Sequence, residues 1–538
     1  MATKKKMLQA AAGAGGDEGA WDLSYAYYDP PASLAWNIST AFYNFQNFSV
    51  AAQEIVPTGV FFKPDGLKMY IVGSDGDDVN EYSLSTAWLV SSSSFVRAFS
   101  VQDTLPQDVF FKPDGTKMYV AGNNSNAVRE YDLSTAWNIS SASFLQSFSV
   151  VSQETNIKAV FFKPDGLKMY IAGSDGDDVN EYDLSTPWDI STSVFLQSFS
   201  LAPYGSSPQG LSFKTDGTKM YFAQLSGTYE GVVEYDLSTA WDISTSVFLQ
   251  NFVTTADVSS PTGLFFTPDG TGFYVTDQVD DKVYQYSLGG FDVSAQETAP
   301  LGIFFKPEGD KMYIIGSTGD DVNEYDLGTY FDTSTAVFLQ SFSVAAQDVT
   351  PQNLFFKPDG TKMYTLGAAN NRDVSEYNLS TAWDVSTASH SQNFSVNPQE
   401  VSPKGLFFKP EGDKMYIIGT SGDDVNEYDL STPWDISTAS FNQNFSVSAQ
   451  ETSPQDVFFK PDGTKMYVLG SGGDDVNEYD LSTAWDISTA SFLQLFSVLS
   501  QMTAPKGIFF KPDGTETFVV GSTSDKVFTY SLGVQPTY

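Results

Sequence analysis

Repetition limits what this chain can become more than any other feature. The phrase Phe458-Phe-Lys-Pro-Asp-Gly-Thr-Lys-Met-Tyr467 recurs, with small changes, ten times in 538 residues. Its turn glycines are Gly66, Gly115, Gly166, Gly217, Gly270, Gly309, Gly360, Gly412, Gly463 and Gly514. They stand 49, 51, 51, 53, 39, 51, 52, 51 and 51 residues apart. A period of about 50 residues falls in the range of propeller blades, well above leucine-rich or ankyrin repeats.

Each copy reads as four strands. In the ninth, Asp456-Val-Phe-Phe-Lys-Pro461 is the first, and Pro461-Asp-Gly-Thr464 is a turn into Lys465-Met-Tyr-Val-Leu-Gly470. Asp-Gly between apolar runs predicts a type I′ hairpin, with positive φ at both central residues. A polar loop, Ser471–Asp475, leads to Val476-Asn-Glu-Tyr-Asp-Leu481. The excursion Ser482-Thr-Ala-Trp-Asp-Ile-Ser-Thr489 then precedes Ser491-Phe-Leu-Gln-Leu-Phe-Ser-Val498. The first two strands are apolar on both faces and the last two are more polar, as the inner and outer strands of a blade should be. The expected class is all-β, a β-propeller of ten four-stranded blades of about 50 residues each.

Copies five and ten deviate together. Both lack the Lys-Met of the repeat, reading Thr271-Gly-Phe-Tyr-Val and Thr515-Glu-Thr-Phe-Val, and both lack the Trp excursion. Each half of the array also begins with an orphan outer strand, Phe42–Val50 and Gly290–Ser294. Such an orphan can complete the half's last blade and hide its edges. The expectation is therefore two five-bladed rings, residues 28–289 and 290–538, preceded by an N-terminal docking tail, 1–27. A single ten-bladed ring, with Gly289-Gly290 as a hairpin loop, is the alternative.

Composition excludes much chemistry. With 28 basic against 66 acidic residues, the formal net charge of −38 repels nucleic acid and anionic membranes. The chain has no Cys and one His, which removes thiolate chemistry and leaves little room for imidazole sites. No stretch of 18 apolar residues exists, so no membrane insertion is expected. The apolar part of the N-terminus is too short for a secretory signal. No acid/base constellation stands outside the repeat, so the chain is not expected to be an enzyme.

Three sets of residues are candidates for binding. Trp88, Trp137, Trp188, Trp241, Trp383, Trp434 and Trp485 recur in the excursion, where Phe331 replaces Trp in the sixth copy. Aromatic faces on a ring could stack on sugars, or each could fill the gap between blades. The fourth copy departs from its neighbours and adds Tyr204 and Tyr229. Asp75, Asp77 and Asp78, with Asp175, Asp177 and Asp178, cluster hard oxygens of the kind Ca²⁺ prefers, although turn chemistry alone also favours Asp there. No other cofactor is expected. Lys63 and Lys68, and their repeats, flank the hairpin and should pair with carboxylates across strands. His390 stands where other copies have Phe, as a tolerated substitution.

The opening Met-Ala-Thr-Lys-Lys-Lys-Met-Leu-Gln-Ala-Ala-Ala-Gly13 resembles the start of virion structural proteins of tailed marine bacteriophages. The Phe-Phe-Lys-Pro-Asp-Gly-Thr-Lys-Met-Tyr units are similar to propeller-type repeats of the same group, and more distantly to the hairpins of lactonase-like propellers. No carboxylate set here matches lactonase metal or catalytic residues. The resemblance implies a particle component on the virion surface, a tail fibre, tail-associated or head-decoration protein. Lys4, Lys5, Lys6, Met7 and Leu8 would dock it to other virion proteins, and it would be a homo-oligomer in the particle. Its propellers would meet a host-surface glycan or protein. The alternatives are a decoration protein with no receptor and a cellular propeller that binds proteins. If residues 1–27 are only an anchor, removing them leaves the fold untouched.

Overall fold

The computed structural model of the chain describes residues 21, 23, 26–28, 36–201, 206–226, 231–254, 257–369 and 372–532. These residues form ten antiparallel sheets, nine of four strands and one of five strand segments. No α-helix occurs among them; the helical pieces are single 3₁₀ turns. The β-propeller blades expected from the repeats are present.

The ninth blade represents the regular pattern. Pro454–Phe459 is its inner strand, followed outward by Lys465–Gly470, Asp475–Leu481 and Ala490–Ser497. The first three are nearly continuously buried and the outer strand is largely exposed. An inner strand lies between two neighbouring blades, so both its faces need apolar side chains, which explains Val457, Phe458 and Phe459 in succession.

The hairpin differs from the type I′ expectation. Gly463 has φ +74°, but neither Pro461 nor Asp462 has positive φ. The Gly463 N–H donates to the Lys460 carbonyl at 2.8 Å. Proline locks a negative φ at the first central position, so the turn is a type I turn closed by a left-handed glycine. Asp462 reinforces it by accepting from the N–H of Thr464 at 3.0 Å and from its hydroxyl at 2.6 Å.

The blades gather into two compact units. One comprises residues 35–288. Its inner strands Pro57–Phe62, Pro106–Phe111, Ile157–Phe162, Ser206–Phe213 and Pro261–Phe266 touch in that order, and the fifth packs against the first. The outer strand of the fifth blade is Phe42–Ser49, which precedes the first blade in sequence and pairs with Lys282–Ser287. This unit is therefore a closed five-bladed ring.

The other unit closes in the same cyclic way through Pro300–Phe305, Pro351–Phe356, Pro403–Phe408, Pro454–Phe459 and Pro505–Phe510. Its last blade departs from expectation. Of the predicted orphan strand only Phe291–Asp292 pairs with Lys526–Leu532, opposite Val527 and Lys526. The rest of the outer strand is Ala26–Tyr28, opposite Leu532, Ser531 and Tyr530. The break between the two pieces falls where regular blades carry a bulge, as between Phe492 and Gln494. Trp21 accompanies Ala26–Tyr28 and occupies this blade's tryptophan position, its N–H donating to the Gly514 carbonyl at 3.0 Å. The segment assigned to a docking tail thus supplies part of a blade from Trp21 onward.

Candidate functional site

The tryptophans are positioned by the hairpin of their own blade. In the ninth, the Trp485 N–H donates to the Gly463 carbonyl at 3.0 Å, and the indole lies across the glycine. A Cβ at Gly463 would stand 2.4 Å from Trp485 Cδ1. The other face stacks on Phe407, 6.3 Å between centroids at 21°. The Trp485 carbonyl accepts from the Tyr416 hydroxyl of the preceding blade at 2.8 Å. The same bond joins Tyr70 to Trp137, Tyr119 to Trp188, Tyr170 to Trp241, Tyr274 to Trp88, Tyr313 to Trp383 and Tyr364 to Trp434. Trp88 is half-buried and the other six are buried. They are interblade packing elements, and the expectation of a glycan platform is corrected accordingly: their faces are already covered.

The acidic loops are held by a further set of carboxylates, the acidic residue of a Gln-Glu or Gln-Asp pair that recurs ahead of the inner strands, as at Gln53-Glu54 and Gln450-Glu451. Glu54 lies in the connection into the first blade and accepts from Val56 N–H at 2.8 Å, Asp75 N–H at 3.2 Å and Gly76 N–H at 3.4 Å. Glu297 and Glu451 hold the loops of their blades in the same way. Burial pushes Glu54 up, and these backbone donors pull it partly back. Asp77 and Asp177 take the left-handed conformation, at φ +53° and +46°. Asp177 accepts from Ser207 N–H at 2.7 Å, Asp178 from the Asn180 amide at 2.6 Å, and Asp175 from the Thr155 hydroxyl. The loop oxygens of Asp75, Asp78 and their counterparts do not converge. Among the described residues no three His, Cys, Asp or Glu side chains are arranged to hold a metal.

The second lysine of each pair reaches across strands as expected, whereas the first, as at Lys63 and Lys460, pairs with the aspartate of its own turn. Lys465 reaches the buried Glu478 and, at 3.1 Å, Asp480, while Lys460 pairs with Asp462 at 2.9 Å. Blades are then tied laterally. Gln443 donates to Glu427 at 3.0 Å in its own blade and to Asp486 at 2.9 Å in the next. The hydrogen bond from Ser488, then that from Gln443, holds Asp486 below the usual carboxylate range. His390 replaces a phenylalanine against Tyr377, edge-on at 5.6 Å, and its Nε2 lies 2.6 Å from Asn393.

The outer strands carry an apolar row. At the bulge Phe492 and Leu493 are 42% and 48% exposed, and Phe144–Leu145, Phe195–Leu196 and Phe338–Leu339 repeat this. The bulge adds one residue without a cross-strand partner, so its leucine points away from the blade.

The centres of the two rings are lined differently. In the ring of residues 289–532, Phe304, Phe355, Phe407, Phe458 and Phe509 make an unbroken circuit of edge-to-face contacts, 5.1 to 5.5 Å between centroids. Further along the same strands, Asn353 donates to Asp456 at 2.8 Å, joining two non-adjacent blades. In the ring of residues 35–288 the corresponding residues are Phe61, Phe110, Phe161, Ser212 and Phe265. Contacts of 5.2 Å link Phe265 to Phe61, Phe61 to Phe110 and Phe110 to Phe161, and the circuit then breaks at Ser212. The gap is part of a cavity of about 160 Å³ bounded by these residues, Asp108 and the hairpin prolines Pro64, Pro113, Pro164 and Pro268. Asp108 is buried and accepts from Val109 N–H and Val160 N–H, both at 2.9 Å; burial pushes it up to about 8. Asp456 is likewise pushed up to about 8 by burial. Tyr204, Tyr229 and Lys4, Lys5, Lys6, Met7 and Leu8 lie outside the described residues.

No family model and no curated protein matches the chain. Among solved structures, a functionally unknown protein from Desulfotomaculum acetoxidans is similar at 12% identity and TM-score 0.23, over 69% of this chain and 98% of that one. A candidate 6-phosphogluconolactonase from Bacteroides uniformis is similar at 13% identity and TM-score 0.25, over 71% and 97%.

Proposed function

We propose that the chain is a structural protein of a bacteriophage particle, tail-associated, whose propellers engage neighbouring proteins or a host-surface protein through their rims. The observation that supports this reading is the apolar row on the outer strands. Edge strands usually carry charges that discourage pairing, yet here Phe492, Leu493 and their repeats stand exposed on a chain of net charge −38. In the ring of residues 35–288 the row runs over four successive outer strands, from Phe95–Val96 to Phe248–Leu249, and a surface of that kind suits contact with a repeating partner. The buried tryptophans offer no stacking platform for sugars, so the contact proposed is with protein. Residues 1–20, with Lys4–Leu8, would be the anchor.

Antibody-gold labelling of particles from the source tests the reading. Label at the tail supports it. Label over the head would replace it with a decoration role, and particles without label would favour a cellular interaction propeller.

A further inference from the structure

We propose that the axial cavity of the ring formed by residues 35–288 binds a small neutral aromatic molecule bearing a hydroxyl group, its ring taking the place of the phenyl absent at Ser212. The inference is independent of any virion role. Four edges of the site are already phenyl groups, Phe61, Phe110, Phe161 and Phe265, three pairs of them in edge-to-face contact. The other ring shows that the geometry accepts a fifth phenyl, because Phe304, Phe355, Phe407, Phe458 and Phe509 complete the circuit.

Size agrees with this occupant. The cavity measures about 160 Å³ and is partly open to solvent, which gives a ligand a way in. An apolar protein cavity of about 150 Å³ is enough to take up benzene. Edge-to-face contacts reward a flat ring over a branched alkyl group of equal volume.

Polarity sets the substituent. Ser212 is 6% exposed and lines the cavity, placing a hydroxyl among phenyl groups. A ligand hydroxyl that reaches it exchanges a contact with water for a bond that toluene cannot make. The lining contains no basic side chain, so nothing compensates the burial of an anion. Benzoate should therefore be rejected.

Phenol, toluene and benzoate titrated calorimetrically into the full chain test the proposal. Phenol should bind saturably at one site per chain, toluene more weakly and benzoate not at all. Ser212→Phe should abolish phenol binding without lowering the melting temperature. Ser212→Ala should weaken phenol about fivefold, the size of one hydrogen bond, and leave toluene unchanged. Phenol binding that survives Ser212→Phe, or no saturable binding by the unaltered chain, would overturn the proposal. Should Ser212→Phe fail to fold, crystals soaked in 4-bromophenol decide: an anomalous bromine peak between Phe161 and Phe265 supports the site, and its absence there refutes it.

Discussion

Trp485 illustrates how one residue serves two blades. Its N–H and indole are committed to Gly463, and its carbonyl accepts from Tyr416 of the neighbour. Tyr416→Phe should lower stability by about 1 kcal/mol, the net worth of such a bond, as urea unfolding would show. Trp485→Ala removes packing as well and should cost about 3–5 kcal/mol. The chain contains its own control, since Phe331 replaces the tryptophan and its partner is Phe518, stacked at 6.2 Å. Two partners lost together mark the pair as one device, and Phe518→Tyr should add a fraction of what Tyr416→Phe removes. The tryptophans are visible in the sequence as repeats; their burial is not, because nothing in a sequence shows that the hairpin glycine lies under the indole. His390 is legible from sequence as a stand-in for phenylalanine.

Individual strands and loops carry the pH dependence. Asp108 and Asp456 on inner strands are pushed up to about 8, and Asp474 and Asp475 in an acidic loop to about 6, all chiefly by burial. For these groups the folded chain holds protons that the unfolded chain has released above about pH 4. The stability these four groups contribute should therefore fall as pH rises from about 5 to about 9. The loss attributable to Asp474 and Asp475 should be largely complete by about pH 7, and that of Asp108 and Asp456 by about pH 9. Melting temperature followed over this range checks the slope, and Asp456→Asn should flatten its upper part whatever it does to the absolute value. Inner-strand Asp108 is not legible as special, because it occupies a position that is Gly59 or Ala159 in adjacent copies and carries no motif. Ser212 is hidden for a similar reason: one serine among ten nearly identical strands reads as drift until its neighbours are seen to form a circuit. The hairpin type misleads because Asp-Gly dominates the signal unless the proline before it is weighed too.

Over the whole molecule, the division into rings is legible because copies five and ten share their deletions, whereas the strand exchange that completes blade ten is only half legible. Ala20-Trp21-Asp22-Leu23-Ser24 matches Ala484-Trp485-Asp486-Ile487-Ser488, but a lone excursion far from its blade is easily taken for part of a leader. Two truncations separate anchor from fold. Removing residues 1–20 should leave the melting temperature unchanged, and removing 1–28 should lower it by exposing the edge of Lys526–Leu532. A chain of residues 35–288 should fold cooperatively by itself. Residues 289–533 should fold less stably, and appending residues 19–31 directly after Gly533 should restore the loss, since this reproduces the spacing from Leu481 to Trp485.

The split outer strand of blade ten also orders events during synthesis. Ribosomes deliver Trp21 and Ala26–Tyr28 about 500 residues before their partners, Gly514 and Tyr530–Leu532. The first ring has all its strands once Leu288 has emerged and can close while translation continues. The early segment must meanwhile wait unpaired for some 500 residues, a non-local contact of the slowest-forming kind. Closure of the second ring is thus a proofreading step: only a chain translated to its last blade can retire its own first strand.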